Sequence, residues 1–462
     1  MGFVNRKREL ADFDRLLGRN DSEFLVLYGR RRIGKTALIN HWMGQQSCST
    51  AYWVAHRSSS ARLLASFSEA VSALLPGVDE PIVFRDWESA LRQVFTVARR
   101  ERVILAIDEF PYLMESVPEF TSLLQAQWDQ RGDSQLFLIL SGSHYHMMYS
   151  EFLAGKGPLY GRATSQLRLE GVELDGLRAF LPRYSANQCV ETFATVGGVP
   201  KYLELWDDKR PVFKNIEELL LSTSTIFRNE ALFLIQDEIP EPRTYLAILE
   251  ALGCGYKRPV ELAESSGIAI NHIGKYLKTL LLLQLVRREV SLDAENRAIS
   301  RLSRYEICDP YLRFYFQYVT PHLSWIERGR TEKLMAKIRK NFPSFVGKSG
   351  FEELCRRRII ALGDIGDLPF EPDQIGHLWN NHAEIDVAAV NKIDQQVLLG
   401  ECKWERSSMG VRHLESLKVR GDRFQRLHGY KKTYALFSKS GFTAELEERA
   451  DQEGVLLFDG AA

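Results

Sequence analysis

Apolar and polar positions follow different patterns along the chain. Some segments are short runs of consecutive apolar residues, which is typical of buried strands. The strands predicted on this basis are 24–28, 103–107, 136–140, 385–390 and 397–404. Between residues 243 and 283 the apolar residues instead recur at helical spacing, and another amphipathic helix is predicted from Phe351. The pattern predicts an α/β protein in which a helical region separates two regions that contain sheets.

Length and composition narrow the class of protein. A chain of 462 residues exceeds one ordinary core and predicts two to four domains. With 45% apolar and 26% charged residues it has the balance of a soluble globular protein. The 60 basic and 60 acidic residues cancel, so any nucleic-acid surface must be local.

Targeting signals and cysteines indicate in which compartment the protein is expected. The first ten residues are too charged for a signal peptide, and the longest apolar runs are far too short to span a bilayer. The six cysteines are scattered without C-x-x-C spacing, as expected of free thiols in a reducing compartment. We therefore expect a cytoplasmic protein with no membrane partner.

The first apolar run leads directly into a glycine-rich loop. Residues 29–36 read Gly-Arg-Arg-Arg-Ile-Gly-Lys-Thr, and a helix follows. This strand–loop–helix context is what a phosphate-binding loop requires, because glycines permit a tight nest of backbone N–H groups at a helix N-terminus. Lys35 is expected to reach the β- and γ-phosphates of ATP, and Thr36 to offer its hydroxyl to Mg²⁺. The predicted nucleotide-contacting residues of the loop are Gly29, Arg32, Ile33, Gly34, Lys35, Thr36 and Ala37.

Two acids close the second apolar run. Asp108 is expected to hold Mg²⁺, and Glu109 to orient or deprotonate the water that attacks ATP. Two acids after a strand are also common where a strand simply leaves the core. The next run ends in Ser141-Gly142-Ser143, where the serines either contact the γ-phosphate or cap a turn. Together these residues predict an ATPase.

Several segments resemble the prokaryotic archaeal-type ATPase family, which is related to the AAA+ and STAND enzymes. They are Phe3-Val4-Asn5-Arg6, Pro158-Leu159-Tyr160-Gly161-Arg162 and Gly197-Gly198-Val199-Pro200. The resemblance implies that the first segment packs against adenine, that a helical lid contains the third, and that a polar residue such as Ser141 or Ser143 senses the γ-phosphate. It makes Arg162 a candidate arginine finger, with a surface arginine after a turn as the alternative.

The helical region has the order of a winged helix. A second helix begins at Pro259 and ends at Gly267, a third follows, and then comes a hairpin. The residues predicted to face DNA phosphates are Asn271, His272, Lys275 and Lys278, with Arg287, Arg288 and Arg301 near the wing. The alternative is a module for contact between domains or proteins.

The last two strands carry a second group of candidate catalytic residues. Side chains alternate along a strand, so Glu401 and Lys403 point the same way. If Asp386 lies on the adjacent strand, two carboxylates and an ammonium converge, and Glu352 could join from the preceding helix. Carboxylates at Asp386 and Glu401 suit Mg²⁺ or Mn²⁺, which would activate water against a phosphodiester.

This ordered set resembles the PD-(D/E)xK nuclease superfamily, with Ile385 in place of the motif's proline. The archaeal-type ATPase family commonly carries such a domain at its C-terminus. Basic residues that follow the second strand fit a nucleic-acid substrate, with DNA favoured, although a solvated helix face is the alternative. Residues 403–432 include Lys403, Arg406, Arg412, His413, Lys418, Arg420, Arg423, Arg426, Lys431 and Lys432.

Taken together, the sequence predicts five regions. They are an AAA+-like P-loop core at 1–170, a helical lid at 171–240, a winged helix at 241–305, a helical linker at 306–340 and a restriction-endonuclease-like α/β domain at 341–462. The leading hypothesis is an ATPase that controls a metal-dependent DNA nuclease. The alternatives are an ATP-driven switch or DNA-binding regulator with an inert C-terminal domain, and a homo-oligomeric assembly platform.

Overall fold

The computed structural model describes residues 3–75, 82–155, 157–294, 300 and 303–460. The chain forms two compact units. The first comprises 1–179 with the short segments 199–202 and 237–240, and the second comprises 180–198, 203–236 and 241–462.

A parallel sheet forms the centre of the first unit. Its strands are β1 (Glu23–Tyr28), β2 (Ser49–Val54), β3 (Val103–Asp108), β4 (Leu136–Gly142) and β5 (Ser165–Arg168). They pair in parallel in the order β2-β3-β4-β1-β5. The helices are α1 (Lys7–Leu17), α2 (Lys35–Met43), α3 (Ser60–Ser72), α4 (Trp87–Ala98), α5 (Phe110–Ser116), α6 (Phe120–Asp129), α7 (Tyr145–Phe152) and α8 (Leu174–Phe180). The predicted α/β fold with a parallel sheet is confirmed.

Burial explains why three of these strands read as apolar runs. Strands β3 and β4 are buried at every position, and β1 is buried at all but Tyr28, because helices cover both faces of a parallel sheet. Large aromatic side chains such as Phe24, Trp128 and Phe152 fill the core. Because β1, β3 and β4 are parallel, their carboxyl ends lie at one edge of the sheet. The candidate residues lie at or just after these ends.

The second unit begins with helices and a hairpin. The helices are α9 (Ala186–Val196), α10 (Pro200–Leu205), whose first turn belongs to the first unit, α11 (Val212–Asn215), α12 (Phe227–Gln236), α13 (Arg243–Gly253), α14 (Pro259–Ser266) and α15 (Ile270–Leu282), with a π-helical turn at Ile216–Leu220. Strands β6 (Val286–Val290) and β7 (Ser303–Ile307) pair antiparallel. As predicted, α14 begins at Pro259 and stops at Gly267, which takes the left-handed conformation.

A mixed sheet closes the second unit. Before it come α16 (Pro310–Phe314), α17 (Leu323–Glu327), α18 (Thr331–Val346) and α19 (Glu352–Asp364), joined by π-helical turns at Tyr315–Val319 and Gly347–Phe351 and a 3₁₀ turn at Thr320–His322. The sheet and its helices are β8 (Gln374–Trp379), β9 (Glu384–Asn391), β10 (Gln396–Lys403), α20 (Val411–Gly421), a 3₁₀ turn at Gln425–Leu427, β11 (Lys431–Ser438), α21 (Ala444–Glu453) and β12 (Leu456–Asp459). The strand order is β12-β11-β10-β9-β8; β8–β9 and β9–β10 pair antiparallel, and the other pairs are parallel.

Two predicted boundaries and one predicted region differ from the structure. The boundary after residue 305 falls inside β7, because Ile307 still pairs with Val286. The boundary after residue 340 falls inside α18, an uninterrupted helix. The predicted lid at 171–240 is not one body: α9 packs against α16 and α18 within the second unit, whereas 199–202 and 237–240 belong to the first.

The state of the cysteines and the lengths of the apolar helices are properties of the chain as a whole. The six cysteines are free thiols, as expected. Within the described ranges, no helix combines the length and apolarity that crossing a membrane requires.

Candidate functional sites

The loop between β1 and α2 has the backbone of an anion nest. Arg32 and Gly34 take left-handed conformations, with φ of 67° and 97°. At Gly29, a Cβ atom would lie 2.5 Å from the carbonyl oxygen of Leu169, so no other residue fits without movement. Successive turns of this kind direct backbone N–H groups to one side, which suits a phosphate.

Lys35 closes the loop from the start of α2. Its Nζ donates to the carbonyl oxygens of Gly29 at 2.8 Å and Arg30 at 3.2 Å. The side chain is buried, and burial lowers the pKa of its ammonium group although Glu109 and Asp108 oppose the change. The loop carbonyls hold the ammonium inside the nest, where a phosphate can replace them as its partner.

Asp108 joins the loop to the edge of the sheet. Its Oδ2 accepts hydrogen bonds from the hydroxyls of Thr36 at 2.5 Å and Tyr52 at 2.9 Å. Burial and the charge of Asp108 raise the pKa of Tyr52, so the phenol stays protonated and donates. A hydroxyl and a carboxylate side by side are oxygen donors of the kind that Mg²⁺ prefers. The sequence interpretation missed Tyr52, since nothing local marks a tyrosine on a neighbouring strand.

Glu109 contacts Ser143, which follows β4, and Ser141 lies near the end of that strand. Glu109 takes a left-handed conformation, and its Oε2 accepts a hydrogen bond of 2.9 Å from Ser143. The hydroxyl of Ser141 is buried and has no hydrogen-bond partner among the described residues. Such an orphan is costly unless a ligand satisfies it, so the residues present fit a bound phosphate.

Two loop arginines contact segments distant in sequence. Arg30 donates to the hydroxyl of Tyr202 at 2.6 Å, and Arg31 donates to the hydroxyl of Tyr112 at 2.7 Å. Arg31 also forms an ion pair of 2.8 Å with Asp237. The segments 199–202 and 237–240, which belong to the first unit, are thus attached to the phosphate loop by its arginines.

Arg162 and the N-terminal segment are the remaining predicted residues of the first unit. Arg162 forms a bidentate ion pair with Asp129, with distances of 3.0 and 2.8 Å, so its guanidinium is engaged within its own unit. Arg6 donates to the carbonyl oxygen of Ile33 at 3.1 Å and thereby supports the loop. Phe3 stacks on His41 with ring centroids 4.0 Å apart, which places an aromatic pair beside α2.

The second candidate site is formed by β9 and β10. Asp386 lies on β9, and Glu401 and Lys403 lie on the neighbouring β10. Nζ of Lys403 lies 2.6 Å from Oε1 of Glu401, and Nη2 of Arg420, from α20, lies 2.6 Å from Oε2. The backbone N–H of Cys402 donates to Asp386 at 2.9 Å. The structure therefore brings the three strand residues together and adds Arg420, which the sequence interpretation assigned to a basic surface.

Burial governs the charges in this cluster. Burial and the charge of Glu401 raise the pKa of Asp386 to about 6. Burial, with the charge of Asp386, raises the pKa of Glu352 well above its ordinary value. Although burial alone would lower it, Glu401 raises the pKa of Lys403. Asp386 and Glu352 are thus harder to ionise, because each is buried and lies near another carboxylate.

A hard divalent cation would relieve this repulsion, and carboxylate oxygens are its preferred ligands. Among the described residues, however, no three such side chains lie close enough together to hold a metal. Both oxygens of Glu401 are taken by Lys403 and Arg420. The donor set fits Mg²⁺ or Mn²⁺ in its chemistry, with Arg420 supplying positive charge where the cation would bind.

Most of the predicted basic surface after β10 is engaged internally. Lys418 pairs with Glu415 and Glu453, and Lys432 pairs with Asp422. Arg423 and Arg426 donate to backbone carbonyl oxygens. The ion pairs offset part of the positive charge of this region, whereas the carbonyl hydrogen bonds of Arg423 and Arg426 leave their charges in place.

The predicted DNA-facing residues divide into three groups. Asn271, His272, Lys275 and Lys278 are exposed on α15. Arg287 instead forms ion pairs with Glu289, Glu306 and Glu353, and Arg288 donates to the carbonyl oxygen of Ser300. Arg287 thus lies on the β6–β7 hairpin, near the wing as predicted, but its guanidinium is engaged by these glutamates. Arg301 lies outside the described residues.

Comparisons with known proteins identify two family matches within the chain. Residues 3–205 match the model of a family described as an ATPase domain predominantly from Archaea. Residues 315–414 match that of archaeal and bacterial proteins of unknown function. The Uncharacterized protein MJECL04 of Methanocaldococcus jannaschii is 30% identical over 459 residues, which cover 99% of each chain. The Uncharacterized ATP-binding protein MJ0423 of the same organism is 43% identical over 49 residues, or 11% of this chain and 83% of that protein.

Among solved structures, the Aeropyrum pernix ORC2 protein in ADPNP–ADP complexes is similar with a TM-score of 0.45 and 13% identity. The match covers 72% of this chain and 97% of that protein.

Proposed function

The chain belongs to the archaeal-type ATPase family, and from this premise we propose that its ATP site controls a metal-dependent nuclease site in its C-terminal domain. The observation that carries the nuclease proposal is the cluster of Asp386 and Glu401 on neighbouring strands with Lys403 beside them. Burial and the charge of Glu401 raise the pKa of Asp386, and carboxylates shifted in this way are concentrated at functional sites.

The ATP site would work through residues of the loop and the sheet edge. The N–H groups of the nest and Lys35 would hold the phosphates, while Thr36 and Asp108 would hold Mg²⁺, which supplies positive charge against the β- and γ-phosphates. Glu109, held by Ser143, would accept a proton from the attacking water. Ser141 would donate to a phosphate oxygen, which satisfies its buried hydroxyl.

In the C-terminal domain, Asp386 and Glu401 would hold Mg²⁺ or Mn²⁺, which lowers the pKa of bound water and offsets charge on a phosphodiester. Lys403 would orient the attacking water and donate to a phosphate oxygen. Glu352 would add a third carboxylate from α19. DNA is the favoured substrate, and this choice rests on the resemblance to PD-(D/E)xK nucleases.

The test is DNA cleavage by the purified full chain. Supercoiled and linear DNA would be incubated with Mn²⁺ or Mg²⁺, with and without ATP. We expect wild type to cut, and Asp386→Ala and Lys403→Ala to lose at least about 100-fold in rate. Lys392→Ala, at an exposed position just after β9, is the matched control and should cut normally. Cleavage by Asp386→Ala at the wild-type rate would sink the proposal.

Control by ATP is tested separately with Lys35→Ala. This variant should lose ATP hydrolysis, and its DNA cleavage should no longer change when ATP is added. If wild-type cleavage is the same with and without ATP, the nuclease proposal survives and the control proposal fails.

A second function is favoured by α15. Its exposed residues Asn271, His272, Lys275 and Lys278 form a polar, basic face of the kind that contacts DNA phosphates in a winged helix. The chain would then be an ATP-dependent DNA-binding regulator. Replacing Lys275 and Lys278 by alanine should weaken DNA retention in a gel-shift assay, with a smaller dependence on salt, in Asp386→Ala protein that cannot cut.

A further inference from the structure

A pocket lies where the β6–β7 hairpin meets α19 and β8, inside the second unit. It has a volume of about 290 Å³ and opens to solvent. This is near the lower end of ligand-site volumes, about 300 Å³, and therefore suits a small ligand. Its charged lining consists of Arg287, Arg288, Arg356, Arg357, Glu289 and Glu353. With His377 counted as neutral, the lining carries an excess of two positive charges.

Three of these arginine side chains converge on the carboxylate of Glu353. It accepts hydrogen bonds from Arg287 at 3.1 Å, Arg356 at 2.7 Å and Arg357 at 3.2 Å. Although burial alone would raise it, these guanidinium groups hold the pKa of Glu353 well below its usual range. Three guanidinium groups thus converge on one carboxylate, and Arg287 has two further glutamate partners, Glu289 and Glu306.

One donor of the pocket lining is buried without a partner. Nη1 of Arg356 has no hydrogen-bond partner in the part of the chain that the structure describes. Buried polar groups are normally satisfied, and leaving a charged one unpaired is costly. A bound oxyanion would supply the missing partner.

From the excess charge, the size and the unpaired guanidinium nitrogen of Arg356, we infer that this pocket binds the phosphate group of a small nucleotide or of a nucleic-acid end. Arg356 is the principal ligand, because a guanidinium presents paired donors to a phosphate. Ile360 and Ile375 line the same pocket and offer an apolar surface for the rest of the ligand. The inference is independent of the proposed nuclease function, since neither metal nor cleavage enters it.

Calorimetry on the full chain tests the inference, with the ATP site kept filled by a non-hydrolysable ATP analogue. The probes are AMP, a 5′-phosphorylated DNA hexamer and the same hexamer with a 5′-hydroxyl. Binding of AMP alone identifies a free nucleotide as the source of the phosphate. A preference of at least about tenfold for the phosphorylated over the hydroxyl hexamer identifies a nucleic-acid end, since a charge-assisted hydrogen bond is lost without the phosphate.

Two variants decide whether the pocket is the site. Arg356→Gln should weaken phosphate binding at least about tenfold because it removes the charged donor. Ile360→Glu, at a half-exposed position on the pocket wall, should do the same by repulsion without disturbing the core. Arg358→Gln is the matched control on the same helix, outside the lining, and should bind as wild type does.

Wild-type affinity in Ile360→Glu, or no measurable affinity of the wild type for either phosphorylated probe, overturns the inference. If Arg356→Gln does not fold, Ile360→Glu decides alone. Loss of DNA cleavage in Asp386→Ala has no bearing on these outcomes, so the two proposals can fail separately.

Discussion

Nη2 of Arg420 lies 2.6 Å from Oε2 of Glu401, a carboxylate whose side chain is only 5% exposed. Nζ of Lys403 lies near the other oxygen of Glu401. Two cationic side chains therefore offset the negative charge of Glu401, which also acts on Asp386. A buried charge that loses its partner is strongly destabilising. Arg420 therefore stabilises the metal-free cluster and competes with a cation for the same oxygen.

Arg420→Ala should separate these two effects. In the presence of a chelator, we expect the free energy of unfolding to fall by about 2 kcal/mol, less than for a fully buried pair because Arg420 is partly exposed. Mn²⁺ should then raise the melting temperature more in the variant than in wild type, since one oxygen of Glu401 is freed. Arg412→Ala, exposed on the same helix, is the control. Equal responses to Mn²⁺ in both variants would contradict a shared site.

The raised pKa of Asp386 predicts that the stability of the fold depends on pH. Its folded-state pKa of about 6 lies above the unfolded value of about 4, so the native state binds the proton more tightly. The stability that the protonated group contributes is fully present below about pH 4 and is lost as pH rises through about 6. In metal-free buffer, Asp386→Asn should therefore gain stability relative to wild type between pH 4 and pH 7, by up to about 3 kcal/mol.

Chemical unfolding at both pH values measures this difference, and comparison with wild type cancels the titration of other carboxyls. Asp367→Asn, at an exposed aspartate of the same domain, should show no such difference between the two pH values. An Asp386→Asn advantage that is the same at pH 4 and pH 7 would mean that Asp386 titrates normally.

The predictable features were those whose determinants are adjacent in sequence. A signal within a few residues marks each of these features: the strand before Gly29, the acids at the end of β3, and the apolar runs of β9 and β10. Parallel pairing then brings the ends of β1, β3 and β4 to one edge without further information. The fold of the first unit follows from such local patterns.

The features that were missed depend on contacts between distant segments. Tyr52 reaches Asp108, 56 positions away, and Arg30 reaches Tyr202, 172 positions away. Arg287 read as a free basic residue because its glutamate partners lie on other elements. Since a strand or a loop does not reveal its neighbours, these partners require the tertiary structure.

Ser141 allows a stability effect to be separated from a functional one. Its buried hydroxyl has no partner among the described residues, so Ser141→Ala should leave the free energy of unfolding unchanged or raise it by up to about 1 kcal/mol. If the hydroxyl meets a phosphate of ATP, turnover should nevertheless fall by about 10- to 100-fold. Denaturant unfolding and steady-state ATP hydrolysis measure the two quantities. Wild-type turnover in this variant would exclude a contact with the reacting phosphate.

Ser143 should act through Glu109. Its hydroxyl donates to the Glu109 carboxylate at 2.9 Å, so Ser143→Ala would leave the base unoriented and lower kcat for ATP about tenfold, with little change in KM. Glu109→Gln should lower kcat at least about 100-fold. Because both changes affect the same group, the double variant should be no slower than Glu109→Gln. Ser143→Thr keeps a hydroxyl and should restore turnover. Independent, multiplying losses in the double variant would show that Ser143 contacts the nucleotide instead.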